Sequence, residues 1–380
     1  MIELDRKIII VGMNYQGVIL ASLFYDAGYD VQSFYISSES LRKEFFRTKF
    51  ARANKPIKYL DALSFADELK IIQSGCERKL LVILTSSLAV TELPNACPEL
   101  WEKYDVLAGP PEAIQKLSDK NALYKSLELN GFDVKPFCLV DDYSSGSFTF
   151  PIILKRNIET VGMYIYKFKR FVSEEELLSF IDTIPKDIRS CLILQGEIEP
   201  SSVDLDFRGF VHNGEVVASA IVDEIRCFPA GVPSYLEEVK DQSISQSVLN
   251  IVETILKPLS YSGFIGCDFK YVPSDHKLYL LDVNCRPPIS VSSWLYKYSK
   301  KQLMNFVREI DSPSKMDSDK YVRWVNIPRD ISARKHSHSM DGLMKSFTAK
   351  KDLLRIGGRR LFYDNLLSTV MRLSRGGKGI

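Results

Sequence analysis

Two aspartates, Asp268 and Asp282, sit inside apolar, strand-like runs joined by a short turn, and they restrict what this chain can fold into. The first run is Phe264 to Tyr271, the turn Pro273 to Lys277 and the second run Leu278 to Asn284. With the loop taken as 273–277, Val272 opposes Leu278 and Asp268 lies directly across from Asp282. Side chains alternate with a period of two, so Asn284 shares their face. Opposed carboxylates repel each other in a sheet, and apolar surroundings add to the cost of charge. A hard divalent cation removes the conflict: magnesium takes oxygen ligands, commonly one or two carboxylates with phosphate oxygens. Asp268, Asp282 and Asn284 are therefore candidate metal ligands. The competing reading is an even loop, whose register turns one aspartate to solvent. Arg286 follows Asn284 by two positions, with Pro287 and Pro288 fixing the exit. A guanidinium beside a metal suits a transferring phosphoryl group; the plainer role is a structural salt bridge.

The first hundred residues alternate strand and helix. Lys7 to Val11 reads as a strand, Gln16 to Ala27 as a helix closed by Gly28, then Val31 to Ile36 and Leu80 to Leu84 as strands. Such alternation implies a parallel sheet covered by helices. The turn Gly12-Met13-Asn14-Tyr15-Gln16-Gly17 has two glycines only, so it reads as a tight turn at strand ends rather than a dinucleotide loop. Downstream, Ser118 or Asp119 caps a helix to about Asn130, and Gly131 closes it. Strands follow at Phe137 to Val140 and Pro151 to Lys155, and residues 173–182 form a capped, acidic-first helix. A last region, Cys191 to about Asp311, is β-rich with one helix near 243–256. The expected organisation is 1–105, 106–190, 191–320 and a basic extension, 321–380.

At 380 residues the chain is too long for one core. Its net charge of +2 excludes a general nucleic-acid binder. Seven scattered cysteines without a C-x-x-C pair argue against a zinc or disulfide framework and fit a reducing cytoplasm. No run reaches a membrane span, and the N-terminus reads as a buried strand rather than a signal peptide. From Lys345 on there are nine Lys/Arg and two Asp, a balance of +7 that leaves the rest at −5. Apolar residues such as Leu353, Ile356, Leu361 and Phe362 interleave with this charge. Such a tail is a solvated end, a segment docked on the body, or a peripheral anchor on an anionic membrane or lipid-linked substrate.

Lys155 ends the apolar strand Pro151-Ile152-Ile153-Leu154-Lys155, where an ammonium is costly unless it meets an anion. Lys120 opens a helix, another place that favours phosphate. Leu192 to Ile198 is an apolar strand turning polar. Backbone groups of Gln195, Gly196, Glu197 and Ile198 can read an adenine edge there, and Asp204 or Asp206 can hold ribose hydroxyls.

Together these residues resemble the ATP-grasp superfamily. Lys120 matches the first phosphate-binding lysine in D-K-x-x-x-Y-K-x-L-E-x-x-G, and Lys155 the second in P-x-x-L-K. Gln195 to Ile198 match the adenine-contacting hinge between lobes. Asp268, Asp282 and Asn284 match the acidic-x-Asn metal set, and Arg286 the arginine of E-x-N-x-R. The resemblance spans residues 106 to about 300. It implies an α/β chain: a Rossmann-like parallel N-terminal domain followed by a two-lobed α+β ATP-grasp domain. Glu224-Ile225-Arg226-Cys227-Phe228-Pro229 and the basic tail are similar to the carboxylate–amine ligase group, which includes D-aspartate ligase-like and polysaccharide-associated proteins. There Arg226 would be a second cation near an acyl phosphate. The implied activity joins a small-molecule carboxylate to an amine, using ATP and Mg2+, with Mn2+ as substitute. The rivals are an ATP-grasp reaction without an amine acceptor and a nucleotide-binding regulatory protein without turnover. A homo-oligomer is compatible with either. Three features depart from the family pattern: both metal carboxylates are Asp, Cys285 stands where proline is frequent, and the loop 156–162 is poor in glycine. His336 and His338 receive no role.

Overall fold

A computed structural model describes residues 6–36, 56–59, 61–158, 168–228, 231–337 and 349–351. Most of the basic tail, His338, Pro229 and residues 159–162 of the loop after Lys155 lie outside them.

The N-terminal alternation forms the expected parallel sheet. Its strands are β1 (Lys7–Val11), β2 (Asp30–Ile36), β3 (Ile57–Tyr59), β4 (Leu81–Leu84) and β5 (Asp105–Val106), in the order β3-β2-β1-β4-β5. Ile8 to Val11 are fully buried, as parallel strands covered on both faces require. Helices α1 (Tyr15–Asp26), α2 (Ala62–Ser74), α3 (Ser87–Ala96) and α4 (Pro111–Ser118) surround the sheet. The glycine turn is closed rather than open to a ligand. Thr85 Oγ1 donates to the Gly12 carbonyl at 2.6 Å, and Asn14 Nδ2 donates to the Thr85 carbonyl at 2.6 Å. Gly12 has φ of +99°, and a Cβ on it would lie 2.6 Å from that of Ser86. Glycine is thus demanded by backbone conformation and by close packing on the end of β4.

Helix α5 (Lys120–Leu129) leads into a small antiparallel sheet of β6 (Phe137–Leu139), β7 (Ile152–Arg156), β8 (Phe168–Phe171) and β9 (Leu192–Gly196), ordered β6-β9-β7-β8. It is backed by α6 (Glu174–Ile181), whose Leu177 and Ile181 share a core with Ile152, Leu154 and Leu194. Ser173 caps α6 by accepting from the Glu176 N–H, as expected for this acidic-first helix.

A larger sheet runs β14-β13-β10-β11-β12-β15-β16. Its strands are β10 (Val203–His212), β11 (Glu215–Cys227), β12 (Pro233–Glu238), β13 (Gly263–Val272), β14 (Lys277–Asn284), β15 (Arg323–Val325) and β16 (Lys350–Lys351). Helix α7 (Gln242–Leu256) buries Val248, Ile251, Val252 and Ile255 against it. Helices α8 (Lys300–Arg308) and α9 (Ile327–Ser337) complete the described chain. Two backbone joints fix the large sheet to the N-terminal unit: the Gly109 N–H donates to the Ser262 carbonyl at 2.9 Å, and Ala108 bridges Gly263. Arg6, 4% exposed, adds a third, reaching both Asp105 and Asp311.

The β13–β14 hairpin corrects the expected turn. Val272 pairs with Lys277, not Leu278, so the loop is 273–276 and even in length. A bulge between Asp268 and Phe269 restores the register: Phe269 pairs with Leu280, Leu281 is extra, and Asp268 pairs with Asp282. One added residue reverses the facing of everything beyond it. Asp268 and Asp282 thus oppose each other as expected, through an even loop and a bulge instead of an odd loop.

Candidate functional site

The site is assembled where α5, the end of β7, the β13–β14 hairpin and the start of α3 converge. Asp119 caps α5 by accepting from the Ala122 N–H at 2.9 Å. Asn157, 3% exposed, satisfies the next two amides: Lys120 N–H donates to its carbonyl at 3.1 Å and Asn121 N–H to its Oδ1 at 2.8 Å. The free helix N-terminus expected at Lys120 is therefore filled by protein groups, leaving the lysine ammonium as its means of reaching an anion. That ammonium lies 2.9 Å from Asp282 Oδ1.

Lys155 sits on β7, enclosed by protein although its side chain keeps some exposure. Its Nζ donates to Tyr124 Oη at 2.6 Å and to Gln195 Oε1 at 2.8 Å. Desolvation, then the nearby positive charge of Lys120, pull its pKa down to about 7; Asp282 opposes them. Tyr124 in turn donates to the carbonyl of Leu281, the bulge residue, at 2.8 Å. Burial holds this phenol protonated, with its pKa raised. One hydrogen-bonded line therefore runs from the hinge strand through Lys155 and Tyr124 to the bulge that aims Asp282.

On the large sheet, carboxylates lie in a row across three strands: Asp206 opposite Asp268, and Asp268 opposite Asp282. One step along, Arg208, Gly266 and Asn284 form the next row. Burial first, then the charge of Asp282, push the Asp268 pKa up to about 7; Arg208 and Arg286 oppose the rise. Arg208, 3% exposed, bridges Asp206 and lies 3.0 Å from Glu224. Among the described residues no three His, Cys, Asp or Glu side chains are gathered as a metal cage. The site instead offers two opposed carboxylates and the amide of Asn284. Two carboxylates facing each other in an apolar ladder suit a dication whose remaining ligands come from elsewhere.

Arg286 donates from Nε to Ser87 Oγ at 2.8 Å, which sets it against the first turn of α3 at the end of β4. Arg286, Lys120, Asp282 and Asn284 line one small chamber with Ser87. At the end of β9, the Gly196 and Glu197 N–H groups donate to the carbonyls of Pro136 and Pro151, and the Glu197 carboxylate pairs with Arg170 at 2.8 Å. Ile198 is 8% exposed and packs with Val272 and Tyr279.

Lys155, Asp268 and residues 195–198 are not among the lining of this chamber, and Asp204 and Arg226 are tied to other partners. Asp204 pairs with Lys270 at 2.7 Å and is half exposed. The Arg226 Nε lies 2.7 Å from Asp330 of α9, and its guanidinium stacks on Tyr235 at 4.5 Å, so this charge is committed to a buried partner. Tyr124, Asn157, Ser87 and Arg208 were given no role in the sequence reading. Tyr124 is the tyrosine of the D-K-x-x-x-Y-K run and Asn157 follows Lys155 by two positions, so both had a local signal. Arg208 stands in an apolar strand two residues after Asp206, a local signal as well, whereas Ser87 had none, because only folding brings it to Arg286.

No family model and no curated protein sequence matches the chain. Solved structures do match in fold. N5-carboxyaminoimidazole synthetase from Staphylococcus aureus, complexed with ADP, superposes with a TM-score of 0.62 at 14% identity, covering 88% of this chain and 85% of that one. L-amino acid ligase from Bacillus licheniformis gives 0.57 at 14%, covering 82% and 75%. The biotin carboxylase domain of Hydrogenobacter thermophilus 2-oxoglutarate carboxylase, in complex with MgADP and bicarbonate, gives 0.61 at 13%, covering 82% and 71%. At these identities the likeness is one of fold.

Proposed function

The chain has the fold of ATP-grasp enzymes, and we propose that it is an ATP-dependent ligase that activates a carboxylate and joins it to an amine, of the D-aspartate ligase-like group. The observation that carries this reading is the facing of Asp268 and Asp282, with Lys120 on Asp282 and Arg286 in the same chamber. Those are the charges that phosphoryl transfer needs in one place.

Lys120 and Lys155 hold the phosphates. The Ile198 N–H and the hinge carbonyls read the adenine, since the Gly196 and Glu197 N–H groups are already spent. Asp204, half exposed although paired with Lys270, is the better ribose partner, because Asp206 is buried and tied to Arg208 beside Asp268. Asp268, Asp282 and Asn284 would hold Mg2+ or Mn2+, which when bound neutralises phosphate charge. A substrate carboxylate oxygen attacks the γ-phosphorus and ADP leaves with the bond electrons, giving an acyl phosphate. The amine nitrogen then attacks the acyl carbon. The bond to phosphate oxygen breaks, and the departing phosphate takes the proton lost from nitrogen. Arg286 offsets charge on the transferring group. Residues 1–105 would supply acceptor contacts through Ser87, 106–190 and 191–320 the two nucleotide-binding lobes, and 321–380 a basic extension that meets anionic membrane lipid. Sedimentation with anionic but not neutral vesicles tests that last point.

ADP release is the central assay. The reading expects release that depends on both an acid and an amine, with a product mass equal to their sum less water. Release without any amine favours a carboxylating or phosphoryl-transfer reaction. Absence of stabilisation by millimolar Mg-ATP removes nucleotide use altogether.

A further inference from the structure

A cavity of about 920 Å³ lies beside the phosphate chamber, between the start of α2, the outer side of α3, α4 and Ile158. Val90, Thr91 and Ser118 belong to the walls of both spaces, so the two are adjoining compartments. The volume is that of a small-molecule site. Much of the wall is apolar, with Ala62, Val90, Pro94 and Ile114 buried beneath it.

Its polar groups are mainly acceptors. Glu92 contributes a carboxylate, Asp61 and Asp119 contribute two more that each cap a helix through one oxygen, and no lysine or arginine is among the described residues of the wall. Asn95 and Gln115 each spend one of their two amide N–H groups within the protein: Gln115 Nε2 donates to Asn95 Oδ1 at 2.8 Å, and Asn95 Nδ2 to the Thr91 carbonyl at 3.0 Å. Pro94 lies inside α3 and has no N–H, so the Val90 carbonyl, four residues earlier, lacks its usual helical donor. That acceptor belongs to a residue shared by the two compartments. The chamber next door differs in carrying two cations, Lys120 and Arg286, beside Asp282.

We propose that this cavity binds the amine substrate, an ammonium-bearing small molecule with an apolar body. It rests on the ligase reading for the word substrate, but the site itself does not. Among the described residues, a cavity lined by carboxylates adjoins a chamber that holds Lys120 and Arg286, which sorts the two reactants by charge: carboxylate and phosphates to the cations, ammonium to the carboxylates.

The test uses the full chain and three probes of one shape: n-hexylammonium, n-hexanol and hexanoate. Calorimetry or ligand-observed NMR should show hexylammonium binding at least tenfold tighter than hexanol, with hexanoate not binding. Glu92→Lys should weaken hexylammonium at least tenfold, and Ala96→Trp, at the exposed rim, should do so by bulk. Mg-ATP affinity should stay within twofold in both variants. Hexanoate binding as well as hexylammonium, or hexylammonium binding unaltered in both variants, overturns the proposal. Mg-ATP binding is measured separately: ammonium binding without it sustains the cavity and overturns the ligase reading, and the converse overturns the cavity alone.

Discussion

Lys155 has a pKa near 7 because it is desolvated beside Lys120, well below the usual lysine value of about 10.4. At pH 8 it is therefore mostly neutral in the free protein. A triphosphate beside it restores the charged form, so Mg-ATP binding should take up protons between about pH 7 and 10 and little below pH 6. Calorimetry in buffers of different ionisation enthalpy reads this directly; equal uptake at pH 6 and pH 8 would remove Lys155 from the phosphate contacts. In the proposed mechanism Arg286 acts on the transferring group instead. Arg286→Ala should lower the rate of ADP formation by roughly 10²–10³, as for loss of one preorganised donor, while ATP affinity changes much less. Arg286→Lys should rescue poorly, because the guanidinium fork is lost. Equal loss of rate and affinity would recast the arginine as a binding residue. These residues could be named from sequence because each breaks a local rule: a lysine ending an apolar strand, an aspartate pair in an apolar ladder. Ser87 breaks none, and a contact made only by folding left no mark on its own segment.

At the level of elements, the hairpin shows how a correct facing can come from an incorrect turn. Hydrophobic alternation on either side of 273–277 is satisfied by several loop lengths, so it reports that two strands pair, not where they turn. The bulge at Leu281 has no distinctive residue, and the leucine beside it fits either face. What holds the bulge is a bond from another element, the Tyr124 hydroxyl to the Leu281 carbonyl at 2.8 Å. Tyr124→Phe keeps the buried ring and loses that bond together with a partner of Lys155. It should cost about 1–2 kcal/mol in denaturant unfolding and lower ADP formation further than that loss explains. A variant as active as the wild type would mean that the bulge holds itself. The α5 N-terminus teaches a similar lesson. Its sequence reads as an anion site, but Asn157, just past the end of β7, fills the amides first.

Across the whole molecule, the alternating N-terminal segment and the doubly apolar strands made the architecture readable, whereas the joints between its parts were not. Arg6 is the clearest case. It is nearly fully buried, it reaches Asp105 of the N-terminal sheet and Asp311 beyond α8, and its Nε donates to the Lys79 carbonyl at 3.0 Å. Its carboxylate partners are about half exposed, which limits the value of each pair. Arg6→Ala should still lower unfolding stability by about 1–3 kcal/mol, chiefly through lost hydrogen bonds to a charged donor, with ATP affinity per folded molecule unchanged. A loss of affinity in the folded fraction would show that this joint sets the site as well as the fold.

The closed glycine turn has a consequence for genetics. Gly12 and Gly17 press on Thr85 and Ser86, and the next residue, Ser87, carries Arg286. In a saturation screen scored by growth, both glycines would emerge as intolerant as a ligand-contacting motif, and the pattern would invite a nucleotide assignment for the first domain. The intolerance would be real and its cause indirect: a bulkier residue there shifts the support of an arginine encoded far downstream. Second-site suppressors would then be sought around Ser87 and Arg286, not around any cofactor.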